Sequence, residues 1–116
     1  MRYLLLIYGD EEAWKNMAPG DQASEFQAYE DYGKWLQEKG WMRGGHALQA
    51  SATATQVRVR EGKRLTTDGP FVETKEQLGG YYLVEARDLD EAITVAAKIP
   101  AVRWGSIEVR PIMTFS

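Results

Sequence analysis

The stretch Thr67-Asp68-Gly69-Pro70-Phe71-Val72-Glu73-Thr74-Lys75-Glu76-Gln77-Leu78-Gly79-Gly80 gathers the side chains best suited to chemistry. Asp68 stands before a Gly-Pro turn, where a carboxylate has two uses. It accepts hydrogen bonds from nearby backbone N–H groups and fixes the turn, or it serves as a general acid or base at the mouth of a pocket. His46, the single histidine, follows Gly44-Gly45, a pair that lets backbone approach closely. It is either a partly exposed strand-end side chain or a proton shuttle oriented by Asp68. Glu73 and Lys75 can grip a charged ligand, whereas Glu76 reads as part of a solvated ion-pair network holding the loop. Arg110, between Val109 and Pro111, offers a planar fork to an anionic ligand or to a loop carboxylate, with Glu73 the expected partner. Tyr3, Tyr8, Tyr81, Tyr82 and Trp104 provide aromatic surface for a planar ligand, or for core and subunit contacts. Asp68 and His46 are thus the candidate catalytic residues. Tyr8, Phe71, Glu73, Lys75, Tyr81 and Arg110 are the candidate ligand-binding set.

Composition removes several other chemistries. The chain has no cysteine, which excludes disulfides, thiolate catalysis and cysteine-held zinc or iron–sulfur clusters. One histidine excludes a histidine-rich metal site within a subunit, and nothing beside His46 supports haem ligation, so neither metal nor cofactor is expected. Net charge is −3, so the concentrated positive field that collects phosphates is missing and nucleic acid is an unexpected partner. The bases Arg58, Arg60, Lys63 and Arg64 cluster in one short stretch, which reads as a solvated face or as a docking point for an acidic partner. The opening apolar run is too short to span a bilayer and lacks the features of a signal peptide. It reads as a strand that begins at once, and a cytoplasmic protein with no membrane partner is expected.

These residues need a scaffold, and 116 residues suit one domain, residues 1–116. Residues 2–8 form a strand apolar on both faces, Tyr3, Leu5 and Ile7 against Leu4, Leu6 and Tyr8. Residues 11–20 read as a loop. A helix follows from Asp21 or Ser24, with capping-box spacing at Ser24 and Gln27, a face of Phe26, Tyr29, Gly33 and Leu36 with Tyr32 beside them, and a stop at Gly40. A strand over 41–49 precedes a hairpin, 54–60 and 63–67, with one wet face. Residues 68–78 read as a connecting loop, and another strand covers 79–86. Asp88 and Glu91 start a second helix whose stripe is Leu89, Ala92, Ile93 and Ala96, ended by Pro100. The last strand covers 106–113. Two β-α-β halves around an inserted hairpin predict an α+β, ferredoxin-like βαββαβ fold, a four-stranded antiparallel sheet with both helices on one face. The other face is then bare, and a second copy related by a two-fold axis is its simplest cover.

The segment from Thr67 to Gly80 resembles the signature of the DGPF family, part of the YCII-related group of small bacterial proteins. Thr55 to Arg60, Asp88 to Ala92 and Glu108-Val109-Arg110-Pro111 match in the same order, so the likeness covers most of the chain. The resemblance implies a ferredoxin-like fold within the dimeric α/β-barrel superfamily, hence a homodimer. That superfamily includes isomerases, lyases, cofactor-free oxygenases and haem enzymes, so fold alone selects no reaction. YCII-type relatives imply a His–Asp pair. Asp68 takes the aspartate's place by position. The early histidine is missing from the first helix here, and His46 lies in the second strand region instead. The expected function is a cofactor-independent lyase- or isomerase-type reaction on a small organic molecule, with Asp68 as acid or base. The competing expectation is a non-catalytic ligand-binding or regulatory module, because family members often occur with extracytoplasmic-function sigma factors.

Overall fold

A computed structural model describes residues 1–70 and 75–115. In chain order the elements are β1 (Arg2–Gly9), α1 (Glu11–Lys15), α2 (Pro19–Glu38), β2 (Met42–Ala47), β3 (Thr55–Arg60), β4 (Lys63–Asp68), β5 (Gln77–Glu85), α3 (Leu89–Ala96) and β6 (Ser106–Pro111), with short 3₁₀ turns at Ser51–Thr53 and Pro100–Arg103. Four strands form one antiparallel sheet in the order β2-β5-β1-β6, and β3 and β4 form a separate two-stranded ribbon.

The two-faced character of β1 decides the layering. Tyr3, Leu5 and Ile7 are buried, together with Val84 from β5, Tyr32 and Leu36 from α2 and Ala92, Val95 and Ala96 from α3. Leu4, Leu6 and Tyr8 point the other way and are only half-buried. The register puts Leu83 beside Leu4 and Tyr81 beside Leu6 on that same open face. Strand alternation thus separates a core face from an apolar face that no helix covers.

Three local expectations are corrected. Residues 11–15 form a helix rather than a loop, because Asp10 accepts hydrogen bonds from the N–H groups of Glu12 and Ala13 and caps it. Helix α2 starts at Pro19, where a proline lacking an N–H fits the first turn. Ser24 therefore lies inside it and bonds back to the Gly20 carbonyl instead of capping. The buried stripes are also rotated. On α2 it runs through Glu25, Tyr32 and Leu36 while Phe26 is 65% exposed, and on α3 Val95 replaces Leu89 and Ile93.

Other local signals held. Gly40 ends the α2 segment at φ 72°. Asp88 caps α3 by accepting from Glu91 N–H, and the Glu91 side chain accepts from Arg87 N–H. The paired glycines mark both bulges. Arg43 is the extra residue between Met42 and Gly44 in β2, and Gly79 is the extra one opposite Ile7 and Tyr8 in β5.

Candidate functional site

At the end of the sheet where β1 stops and β5 begins, a cleft of about 570 Å³ opens between the sheet and helices α1 and α2. That volume suits a small molecule. Trp14, Phe26, Tyr29, Tyr82 and Trp104 supply most of its aromatic surface, with Ile7 on the sheet side. Helix α1 is responsible for one wall. Its Trp14 meets Phe26 of α2 edge-on at 5.3 Å, so Phe26 serves the cleft rather than the core.

The opposite wall is held by a buried carboxylate. Glu25 is 8% exposed and accepts from Arg103 at 2.7 Å and from the Trp104 indole N–H at 3.4 Å. It thereby fixes the Trp104 ring, which packs directly over the bare backbone of Gly9. Burial, then Tyr82 and Glu25, push the Tyr29 phenol from 10.0 up to about 12, against opposing effects of the Ala101 backbone and Arg103. Burial raises Tyr82 as well. Both phenols therefore stay protonated at neutral pH and can act in the cleft as hydrogen-bonding groups, not as bases.

The polar rim is already partly committed. Asp10 caps α1, and Glu11 accepts from the Ser51 N–H at 2.7 Å and its hydroxyl at 2.9 Å. That clamp ties the Ser51–Thr53 turn to the cleft edge. Lys15, Gln49 and Gln77 complete the rim, and Gln77 also accepts from Glu11 N–H.

The residues singled out from sequence separate into three places. His46 contributes to the cleft wall, but its ring leans edge-on against Tyr81, with centroids 5.9 Å apart, on the open face of the sheet. Tyr8 and Arg110 share that open face. The Tyr8 hydroxyl donates to Glu108 at 3.5 Å, and Arg110 forms an ion pair with Glu108. His46, Tyr81, Leu6 and Glu108 make one row across all four strands. Asp68 lies elsewhere, exposed at the end of β4, where it accepts from the Thr55 hydroxyl at 3.4 Å. Lys75 is exposed, and Glu76 accepts from the Ser106 hydroxyl at 2.6 Å. Phe71 and Glu73 lie outside the described residues, and with Glu73 the expected link to Arg110.

Sequence reasoning placed Tyr82 and Trp104 among ligand-lining aromatics but missed Trp14, Phe26 and Tyr29. The available signal was Asp10, whose capping position before Glu11-Glu12 marks a helix start. Among the described residues, no cluster of metal-ligating side chains occurs and no helix is long and apolar enough to cross a membrane.

Comparison with known proteins agrees with the sequence signature. The family model for the YCII-related domain matches residues 1–116. An uncharacterized protein of Rhizobium meliloti (strain 1021) is 31% identical over 117 residues, which covers 99% of this chain and 94% of that protein.

Proposed function

Because the chain belongs to the YCII-related family and its Rhizobium meliloti relative is uncharacterized, we propose a role from the cleft itself: it binds a flat, largely apolar small molecule between Trp14 and Trp104. The observation that carries this reading is the size and aromatic lining of the cleft, with few polar groups free to orient a ligand. Tyr29 and Tyr82 would donate or accept hydrogen bonds at the ligand's polar edge. A thermal-shift series with naphthol and benzoate tests it. A ligand bound only by the folded state at about 100 times its Kd adds about 2.7 kcal/mol of stability. Naphthol raising the melting temperature of the wild type but not of Phe26→Asp supports the reading; no rise in the wild type refutes it.

A proton-transfer reaction in the same cleft, of the lyase or isomerase type and without a cofactor, is the catalytic form of this reading. One observation favours it. Gly69 N–H donates to the Ala54 carbonyl at 2.6 Å, and the adjoining Ser51–Thr53 turn is clamped to Glu11 at the cleft rim. Asp68 itself lines no part of the cleft; in this reading it would act as acid or base from the ribbon that this turn links to the rim, with His46 in the wall. Asp68→Asn should leave the melting temperature and naphthol binding intact while abolishing turnover. Without turnover, the same cleft serves as the sensing site of a binding module.

The strand order β2-β5-β1-β6 supports a ferredoxin-like scaffold, and the uncovered apolar face supports a dimer in which two sheets pack together. In that assembly His46, Tyr8, Tyr81 and Arg110 would lie in the space between the sheets.

A further inference from the structure

The walls of the cleft are aromatic, and the charge around them is acidic. Trp14 and Phe26 meet at 5.3 Å with their planes 84° apart, so a ligand in the corner between them meets a face of each ring. Tyr29, Tyr82 and Trp104 line the same cleft. A ring face is the negative pole of the aromatic quadrupole and attracts a cation.

The ionisable groups have the same sign. Among the described residues, Asp10 and Glu11 line the cleft, both half-buried, with Lys15 the single lysine or arginine beside them. Partly buried charges are screened by salt less than exposed ones. Lys15 offsets the two acids poorly: its side chain is 66% exposed and lies 3.8 Å from Glu12, an acid outside the lining. His46 is the other lining side chain able to carry positive charge, and its ring rests against Tyr81 on the open face of the sheet. Glu25 stands behind the aromatic wall. Its ion pair with Arg103 does not cancel there, because at the Tyr29 phenol the effect of Glu25 outweighs that of Arg103. This sign is local to the cleft. The groove between α2 and residues 97–103 is lined by Lys98 and Arg103 against Asp31.

The lining acids offer a field more than a direct contact. Glu11 spends both oxygens on Ser51, and Asp10 accepts the two N–H groups that cap α1. A cation rich in N–H donors would find these carboxylates already engaged. A cation whose charge is spread over a flat ring needs no such acceptor, and it is hydrated more weakly than an ammonium.

We propose that the flat molecule of the cleft is an organic cation of the N-alkylated aromatic class, held by the ring faces of Trp14, Phe26 and Trp104 in the field of Asp10, Glu11 and Glu25. This inference rests on the flat-ligand reading above and adds the sign of the ligand's charge.

Calorimetric titration of the full chain at neutral pH with N-methylquinolinium, 2-naphthol and 2-naphthoate tests it. The three are two-ring molecules of similar size, respectively positive, neutral and negative. The quinolinium should bind about tenfold tighter than naphthol, and naphthoate should bind more weakly than naphthol. Asp10→Asn removes one charge and keeps a good helix cap, so circular dichroism should stay as in the wild type. It should lower the ratio of quinolinium to naphthol affinity by about two- to threefold. Trp14→Leu keeps an apolar wall without a π face and should lower the same ratio. Naphthol bound as tightly as the quinolinium, or naphthoate bound best, overturns the cation and leaves the flat-ligand reading standing. A quinolinium preference unchanged in both variants overturns its assignment to this cleft. Binding of none of the three overturns the cation and the flat-ligand reading together.

Discussion

Glu25 shows how one side chain can hold a site that it does not itself form. It spends its two oxygens on Arg103 and on the Trp104 indole, and Trp104 is a wall of the cleft. Glu25→Ala leaves the indole N–H without its acceptor and frees the ring. We expect a loss of about 1–2 kcal/mol, since Arg103 is largely exposed and the pair is partly screened. Urea melts would measure this, and naphthol affinity should fall with it; an unchanged melt would show that Trp104 is placed by packing alone. The tyrosines make a separate prediction. The folded state favours the protonated phenols of Tyr29, Tyr32 and Tyr82. Their contribution to stability is therefore complete below the unfolded value of 10.0 and is lost as pH rises through about 12 for Tyr29. Phenolate absorbance should show part of the six tyrosines ionising late, together with unfolding. A single transition near the ordinary value for all six would contradict the burial argument.

At the scale of elements, glycine sets how closely β2 and β5 approach. A Cβ on Gly45 would stand 2.8 Å from the Tyr81 carbonyl oxygen and 2.9 Å from the Tyr82 ring, and one on Gly80 would stand 3.0 Å from the His46 carbonyl oxygen. Gly45→Ala should cost about 1–3 kcal/mol by forcing the strands apart, whereas Gly33→Ala on α2, where nothing lies within 4 Å, should stabilise the helix slightly. Paired denaturant melts compare them directly; equal effects would mean that strand spacing is not the constraint. These glycine pairs were readable from sequence because bulges and close approaches leave no other residue the required room. The apolar alternation of β1 was readable for the same reason, since each face must meet a different environment. The stripes of α2 and α3 were not. Phe26 looks like a core residue until α1 exists to partner it, and a five-residue helix has too few residues to announce itself by periodicity. Asp68 and His46 were legible as residues of interest, but their separation depends on where the ribbon projects, which no local pattern encodes.

The whole molecule is more extended than a chain of its length needs to be. Its radius of gyration is 16.3 Å, against about 13 Å for a compact chain of this size. The ribbon and the open sheet face both expose apolar side chains. Leu6→Asp, at the middle of the open face, should therefore split the proposed dimer, because an unpaired carboxylate buried between two sheets costs more than the roughly 2–7 kcal/mol of a neutral polar group; light scattering would follow the change in mass. Most of the cleft's aromatic wall, Trp14, Phe26, Tyr29 and Tyr82, lies on the helix side of the sheet, so it should keep its ligand in the split form. The binding claim is tested most directly by the four tryptophan indole N–H signals in an NMR titration with naphthol. Trp14 and Trp104 line the cleft, while Trp35 and Trp41 meet edge-on, centroids 5.1 Å apart, away from it. The account predicts saturable shifts of Trp14 and Trp104 with Trp35 and Trp41 unmoved. Shifts confined to Trp35 and Trp41, or none at all, would contradict it.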